Sequence, residues 1–375
     1  MSKLRVLLWE TLSDISGGQK MTLRAIDLLR EGCDFFCLLP GEGKLAEELR
    51  RREIPCAFLG DTALPAGRKN LRAALRYARM SARVLCKSLR QMKKFMPDLL
   101  YAPGPAALPW SALCGSLFRR PVIWHLHHNF LDSGTKRLLN FCAGWKSVRS
   151  IIAVSACVGS QIPDAQDKLH LLYNPIDVES YKNGDSAPVL RELGMDARRP
   201  FLLGQIAAIQ RSKRQEELLH ILAEFRRRGI PSAALFAGAP READYMEELV
   251  NLAEELRIRE NVYFLGHRSD IANLLKAMDA LLIPSEEGLP LAALEAMAAG
   301  CPIVARNCGG SHELLTAAGC GKLYRTGASA AEIADMLLQP VDASALASGA
   351  AFCRAHSPAR YGEALRTIFE EVGRR

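Results

Sequence analysis

Short, continuous apolar runs alternate with helix-like segments along the whole chain. The first six runs are RVLLW (5–9), DFFCLL (34–39), DLLYA (98–102), VIWHL (122–126), SIIAV (150–154) and LHLLY (169–173). Amphipathic segments near 18–31, 43–52, 69–95, 107–117 and 134–147 lie between them. A strand that is apolar without interruption must be buried on both faces, and helices between such strands supply the cover. The pattern therefore predicts parallel sheets with helices on both sides. A polar stretch, NPIDVESYKNGDSAP (174–188), interrupts it. The alternation then restarts with FLLGQIA (201–207), AALFAG (233–238), NVYFLG (261–266), ALLIP (280–284), PIVA (302–305) and KLY (322–324). At 375 residues and 49% apolar, the chain can bury two such cores. The expectation is an α/β protein of two Rossmann-like, doubly wound domains facing a central cleft. Their spans are 1–180 and 181–355, and a C-terminal helix, PARYGEALRTIFEEVG, lies within 356–375.

Several classes drop out on composition. No run of eighteen uncharged apolar residues is long enough to span a bilayer. The opening MSKLRVLLWETLSD lacks the apolar core and cleavage site of a signal peptide. The eleven cysteines are scattered, with neither CxxC nor Cys/His metal spacing, and read as reduced core residues of a cytoplasmic protein. Net charge is +8 and uneven. Between Asp61 and Asp98 no acidic residue occurs, while Arg68, Lys69, Arg72, Arg76, Arg79, Arg83, Lys87, Arg90, Lys93 and Lys94 do. Leu71, Leu75, Ala78, Leu85, Leu89 and Met92 supply an apolar side, so residues 68–94 read as an amphipathic helix with a basic face. The face is either solvated or docks on an anionic bilayer at the inner side of the cytoplasmic membrane. A nucleic-acid partner is not expected, because aromatic interleaving and any recognisable nucleic-acid module are missing.

In open parallel sheets ligands sit beyond the carboxyl ends of the strands, so the residues after each strand carry the functional signal. After the first strand, Gly17–Gly18 opens a helix, where bare backbone and free N–H groups suit an anion. The pair is not GxGxxG, which disfavours a dinucleotide dehydrogenase. After VIWHL come His127 and His128, and HLHH leaves open which histidine matters. After FLLGQIA come Arg211, Lys213 and Arg214 at a strand–helix junction, with Lys213 suited to a phosphate. After ALLIP comes SEEGLPLAALEAMAAGCP. Pro290 fits the first position of a helix over 290–299, Gly300 its cap, and Pro302 enforces the stop. Favourable charge at a helix N-terminus accounts for Glu286 and Glu287, but not for Glu295 inside the helix. Gly309–Gly310 precede another helix, with Ser311 as its expected N-cap. Two glycine loops and a basic loop point to a phosphate-bearing ligand.

EGLPLAALEAMAAGCPIVARNCGG resembles the signature of the retaining glycosyltransferases of family 4, which have the GT-B fold. Their hallmark, two glutamates separated by seven residues, fits Glu287 and Glu295. GGQK, IIAVSACVGSQI, LLYNPIDVESY, ALFAGAP and NVYFLGHRSDIANLLKAMDALLIPS match in the same order, so the resemblance covers nearly the whole chain. It implies that Glu287 contacts hydroxyls of a donor sugar and that Glu295 holds the ribose. It also implies that the amides from Gly288 to Ala292, a stretch that includes Leu289, Pro290 and Leu291, lie by the sugar and diphosphate. Lys213 would stabilise the leaving diphosphate, with Arg211 and Arg214 beside it, and His127 would lie by the reacting sugar. Gly17 and Gly18 would cap the diphosphate, Gly266 and His267 would meet the base, and the last helix would cross back onto the first domain. Ala208 stands where the family has an arginine five residues before the lysine, and Arg214 where it has glycine.

The implied reaction is retaining, metal-independent hexosyl transfer. The donor is a UDP or GDP sugar and the acceptor a saccharide or lipid-linked molecule of surface polysaccharide synthesis. No cofactor is expected. No DxD-like acidic pair is present, and Lys213 with helix dipoles can replace a metal at the diphosphate. The alternatives are an inactive sugar-nucleotide-binding relative, an epimerase on the same fold, or a sugar phosphorylase.

Overall fold

A computed structural model describes residues 3–62, 71–129, 132–195 and 199–374; for residues 71–74 and 77 it describes the backbone alone. The chain forms two compact units, Met1–Asn174 with Pro358–Arg375 and Pro175–Ser357. The first division falls six residues before the one expected at 180. Residues 175–182 belong with the second unit for a local reason: Ile176 N–H donates to the His356 carbonyl and Tyr181 to Glu295.

The first unit holds strands β1 (Leu4–Trp9), β2 (Cys33–Leu39), β3 (Cys56–Phe58), β4 (Leu99–Ala102), β5 (Val122–Leu126), β6 (Val148–Ala153) and β7 (Leu169–Leu171). They form one parallel sheet in the order β3-β2-β1-β4-β5-β6-β7. Strand β3 is additional to the expected set. Its three residues, none of them buried, pair only at the sheet edge, so no apolar run marks it. The second unit holds β8 (Phe201–Ile206), β9 (Ser232–Ala237), β10 (Val262–Phe264), β11 (Ala280–Ile283), β12 (Ile303–Arg306) and β13 (Lys322–Tyr324), in the order β10-β9-β8-β11-β12-β13. Each sheet reverses its winding once, between β1 and β4 and between β8 and β11. Such switch points open a crevice at the strands' carboxyl ends.

Helix Pro358–Gly373 completes the first unit's core. Its apolar stripe Tyr361, Leu365, Ile368, Phe369 and Val372 is buried among Leu8, Ile26, Leu29 and Tyr101. The Phe369 and Tyr101 rings lie 5.2 Å apart, edge to face. Burial of each large member contributes about 2 kcal/mol relative to exposure.

Helix Leu71–Phe95 carries the basic face. Arg76, Arg79, Arg83, Lys87, Arg90, Lys93 and Lys94 are exposed along it. Arg68 and Lys69 lie outside the described residues, as does the Arg72 side chain. The buried stripe is Met80, Val84, Ser88 and Met92, four residues apart. That differs from the expected apolar side, since Leu75 is 52% exposed and Ala78 is exposed too. Two serines on the helix take indole N–H groups from the body of the unit, Ser88 from Trp9 at 3.0 Å and Ser81 from Trp110 at 3.1 Å. These bonds set the helix's rotation, which a count of apolar residues does not register. Among the described residues no helix is long and apolar enough to cross a membrane.

Candidate active site

In the second unit, the loops after β8 and β11 place Lys213 and Glu287 in contact. The Lys213 ammonium donates to Glu287 Oε1, and Ser285 Oγ donates to the same oxygen at 2.6 Å. Both charged side chains are about three-quarters buried. Glu287 Oε2 has no donor among the described residues. Gln205, at the end of β8, fixes the lysine loop by donating to the Lys213 carbonyl at 2.7 Å, while its own Oε1 is buried without a partner. Glu286 is exposed, as a loop charge should be.

Close backbone packing holds the glutamate loop. Gly310 N–H donates to the Glu287 carbonyl at 2.8 Å. A Cβ on Gly310 would stand 2.0 Å from the Gly288 carbonyl oxygen, so only glycine fits. Gly238 is equally constrained, since a Cβ there would fall 1.9 Å from the Ala207 carbonyl oxygen. The helix following Glu287 runs Leu291–Ala299. Pro290 is its N-cap, extended at ψ 110°, and not the expected first helical residue. The extended cap aims the chain from the buried Gly288–Leu289 pair into the helix. Gly300 closes the other end in the left-handed conformation at φ 73°, as its position predicts. Leu291, Ala292 and Glu295 form the helix's less buried stripe. Glu295 accepts from the Tyr181 hydroxyl at 3.0 Å.

The other basic candidates face elsewhere. Arg211 is held by Asp244, Glu248 and Glu242 and lies over the Tyr245 ring. Those hydrogen bonds raise its already high pKa. Arg214, left-handed at φ 55°, precedes helix Gln215–Arg227 and pairs with Glu217. The structure therefore brings Lys213 to Glu287 but engages Arg211 and Arg214 with other carboxylates. Gly266, at φ 64°, follows β10; its carbonyl accepts from Gly238 N–H at 2.8 Å, and His267 beside it is exposed. Ser311 is not an N-cap. Helix Gly309–Ala318 begins two residues earlier behind Cys308, because Gly309 accepts φ 53°, and Ser311 Oγ is buried without a partner.

In the first unit, Gly17 and Gly18 begin helix Gly17–Leu29, as expected. A pocket of about 190 Å³ beside them is lined by Glu10, Thr11, Gly104, His127 and His128 among others. His127 Nε2 is buried without a partner, and its ring lies 4.1 Å from that of His125. Burial, reinforced by the two neighbouring histidines, holds the His127 pKa well below the ordinary value. Burial alone lowers His125 to about 3, and Tyr101 bonds its Nδ1 at 2.6 Å. Both imidazoles are neutral near pH 7. Glu10, at the end of β1, is fully buried and accepts from Thr22 at 2.5 Å and Gln19 at 2.9 Å. Burial raises its pKa. His125 Nε2 and His127 Nε2 are both buried without a partner, and of these two only His127 lines the pocket, which sets it apart within HLHH.

Tyr181, Gln205, Ser285 and Glu10 have no warning in local spacing. Tyr181 lies 114 residues from Glu295 along the chain, inside a segment that reads as a linker.

Two family models match the sequence, glycosyl transferases group 1 over residues 195–348 and glycosyltransferase family 4 over residues 21–180. A D-inositol 3-phosphate glycosyltransferase of Frankia alni is 32% identical over 197 residues, 49% of this chain and 48% of that protein. The UDP-Gal:alpha-D-GlcNAc-diphosphoundecaprenol alpha-1,3-galactosyltransferase of Escherichia coli is 22% identical over 331 residues, 84% of this chain and 82% of that one. The chain spans about half or less of the length of the first curated relatives it matches. Among solved structures, Anabaena Alr3699/HepE in complex with UDP-glucose superposes with a TM-score of 0.82 at 22% identity, covering 98% of this chain and 100% of that one. That likeness is one of fold.

Proposed function

Because this chain belongs to the family-4 glycosyltransferases of glycosyl transferases group 1, we propose that it transfers a hexose, with retention, from a UDP or GDP sugar to a saccharide or lipid-linked acceptor in surface polysaccharide synthesis. The observation that carries the reading is the Lys213–Glu287–Ser285 contact at the ends of β8 and β11. Transfer breaks the bond between the sugar's anomeric carbon and the diphosphate oxygen. Positive charge gathers on the sugar and negative charge on the leaving group, so fixed donors and dipoles beside the diphosphate lower the barrier. Lys213 supplies the cation. Glu287 offers Oε2 to sugar hydroxyls while Ser285 and Lys213 hold Oε1. Glu295, oriented by Tyr181, takes the ribose hydroxyls. Gly266 and His267 serve the base, and the backbone from Gly288 to Ala292 flanks the sugar and phosphates. The acceptor hydroxyl attacks the anomeric carbon, and its proton leaves with the diphosphate. In the first unit a neutral His127 can exchange a hydrogen bond with a sugar hydroxyl, and Gly17–Gly18 leave room for the ligand.

No metal is assigned a step in this reading. A thermal-shift titration with UDP, GDP, ADP and CMP, with and without EDTA, tests the donor class. Ligand at about 100 Kd adds roughly 2.7 kcal/mol. A shift from UDP or GDP that survives EDTA and is lost in Glu295→Ala supports the reading, and no shift from either sinks it. The product's anomeric configuration by NMR tests retention. Release of an epimerised nucleotide sugar without acceptor would favour the epimerase instead.

The exposed basic stripe on Leu71–Phe95 fits an anionic bilayer, where each well-placed cation adds about 1 kcal/mol. The E. coli relative's name includes a diphosphoundecaprenol, a lipid-linked molecule. Equal co-sedimentation with neutral and anionic vesicles would remove this part of the proposal.

A further inference from the structure

A diphosphate brings at least two negative charges, and the cations expected to meet it are already compensated. Lys213 is paired with Glu287, Arg214 with Glu217, and Arg211 with three carboxylates. Arg306 differs. It is the last residue of β12, it forms no ion pair among the described residues, and its Nε is buried without a hydrogen-bond partner. An unpartnered buried guanidinium N–H carries a desolvation cost that an incoming anion would relieve.

Its place in the sheet is equally specific. Strand β12 is the neighbour of β11, and β11 is the neighbour of β8, so the residues beyond β8, β11 and β12 share one edge. Val304, two residues earlier, packs in the same core as Leu218, Leu222 and Tyr324, and strand alternation puts Arg306 on that face. Arg306 pairs in register with Tyr324, whose hydroxyl bonds Glu217 at 2.8 Å in the first turn of the helix that follows Lys213. The loop leaving Arg306 is the one whose Gly310 N–H holds the Glu287 carbonyl.

We propose that Arg306 supplies the uncompensated positive charge that binds the donor's diphosphate in the second unit. The inference rests on the nucleotide-sugar reading above. It also accounts for how a chain with Ala208 at the family's arginine position binds that group. The guanidinium's fork suits two phosphate oxygens at once, which an ammonium does not.

The test is calorimetric titration of the full chain, R306Q and R306K with UDP, GDP, uridine and guanosine. In R306Q the diphosphate that binds the wild type should weaken about 10- to 100-fold, with its nucleoside unchanged and R306K intermediate. A merely structural role would lower both ligands together, and that result overturns the proposal. So does unchanged diphosphate affinity in folded R306Q. Should R306Q fail to fold, the diphosphate-to-nucleoside ratio in R306K decides, and a wild-type ratio overturns the proposal. A second arm compares UDP-glucose with UDP-glucuronate. Equal losses support contact with the diphosphate, whereas loss confined to UDP-glucuronate assigns Arg306 to a sugar carboxylate and overturns it. A wild type that binds neither UDP nor GDP rejects the donor reading itself.

Discussion

The two units share one architecture and solve opposite electrostatic problems. Both place their candidate residues where a parallel sheet changes winding direction. The second unit gathers permanent charges there and balances most of them pairwise, as Lys213 with Glu287. The first unit gathers titratable groups and holds them uncharged, as burial does to His125 and His127. Handling a phosphate-bearing donor calls for charge that can be redirected. Handling a hydroxyl calls for hydrogen-bond capacity without charge, which a neutral imidazole has.

The contrast can be broken most sharply at Glu287. On the proposed function, Glu287→Ala should lower donor turnover by about 100- to 1000-fold, because it would remove the proposed sugar contact and leave Lys213 without its partner. Turnover within a few-fold of wild type, read as nucleoside diphosphate released, would show that the charged pair is not the reacting centre. His127→Ala should lower turnover about 10- to 100-fold while UDP or GDP affinity in calorimetry stays put. A matching loss of nucleotide affinity would end the division of labour.

Acidity separates the units again. The folded pKa values of His125 and His127 are depressed, so below the unfolded value of about 6.5 the unfolded chain binds protons that the folded one refuses. Their stabilising share is complete above pH 6.5 and declines on acidification, by about 1.4 kcal/mol per pH unit for each histidine. Glu10, with a raised pKa, pulls the other way, adding stability at low pH that is lost as pH rises through its folded value. The readout is therefore a variant: His127→Gln should flatten the fall in melting temperature between pH 7 and 5. An identical slope in both proteins would mean that His127 titrates freely. The smallest effect belongs to Tyr181→Phe. Loss of one hydrogen bond to Glu295 should weaken nucleotide binding about 3- to 10-fold without changing the fold. Unchanged affinity would show that Tyr181 does not orient Glu295 for the nucleotide.

Legibility follows the same divide. The strands could be read because burial on both faces makes them continuous apolar words, and β3 could not because three residues at an edge bury too little. Glu287 and Glu295 stood out because their separation by seven residues fits the family hallmark, and Lys213 because it is a cation in a strand–helix loop, all within short windows of the chain. Arg211 was legible as a cation near the site, but the acidic residues that hold it lie 31 to 37 positions away. Tyr181 and Arg306 acquire their meaning from pairing across the sheet and across the linker, which no window of sequence contains. Pro290 and Ser311 show the limit of cap rules. Proline and serine each suit a helix start, yet backbone conformation at Pro290 and Gly309 decides where the first turn begins.

The last helix has a consequence for the order in which the molecule is made. The chain leaves the first unit after Asn174 and re-enters it only at Pro358, so the second unit is an insertion within the first. When synthesis has reached Ser357 the second unit has all its residues, while the first still lacks Tyr361, Leu365, Ile368 and Phe369, and with them one wall of its core. The part of the protein that begins first is thus finished last. A chain cut just before Pro358 would keep every residue of the second unit and leave the first unit's core without its closing helix.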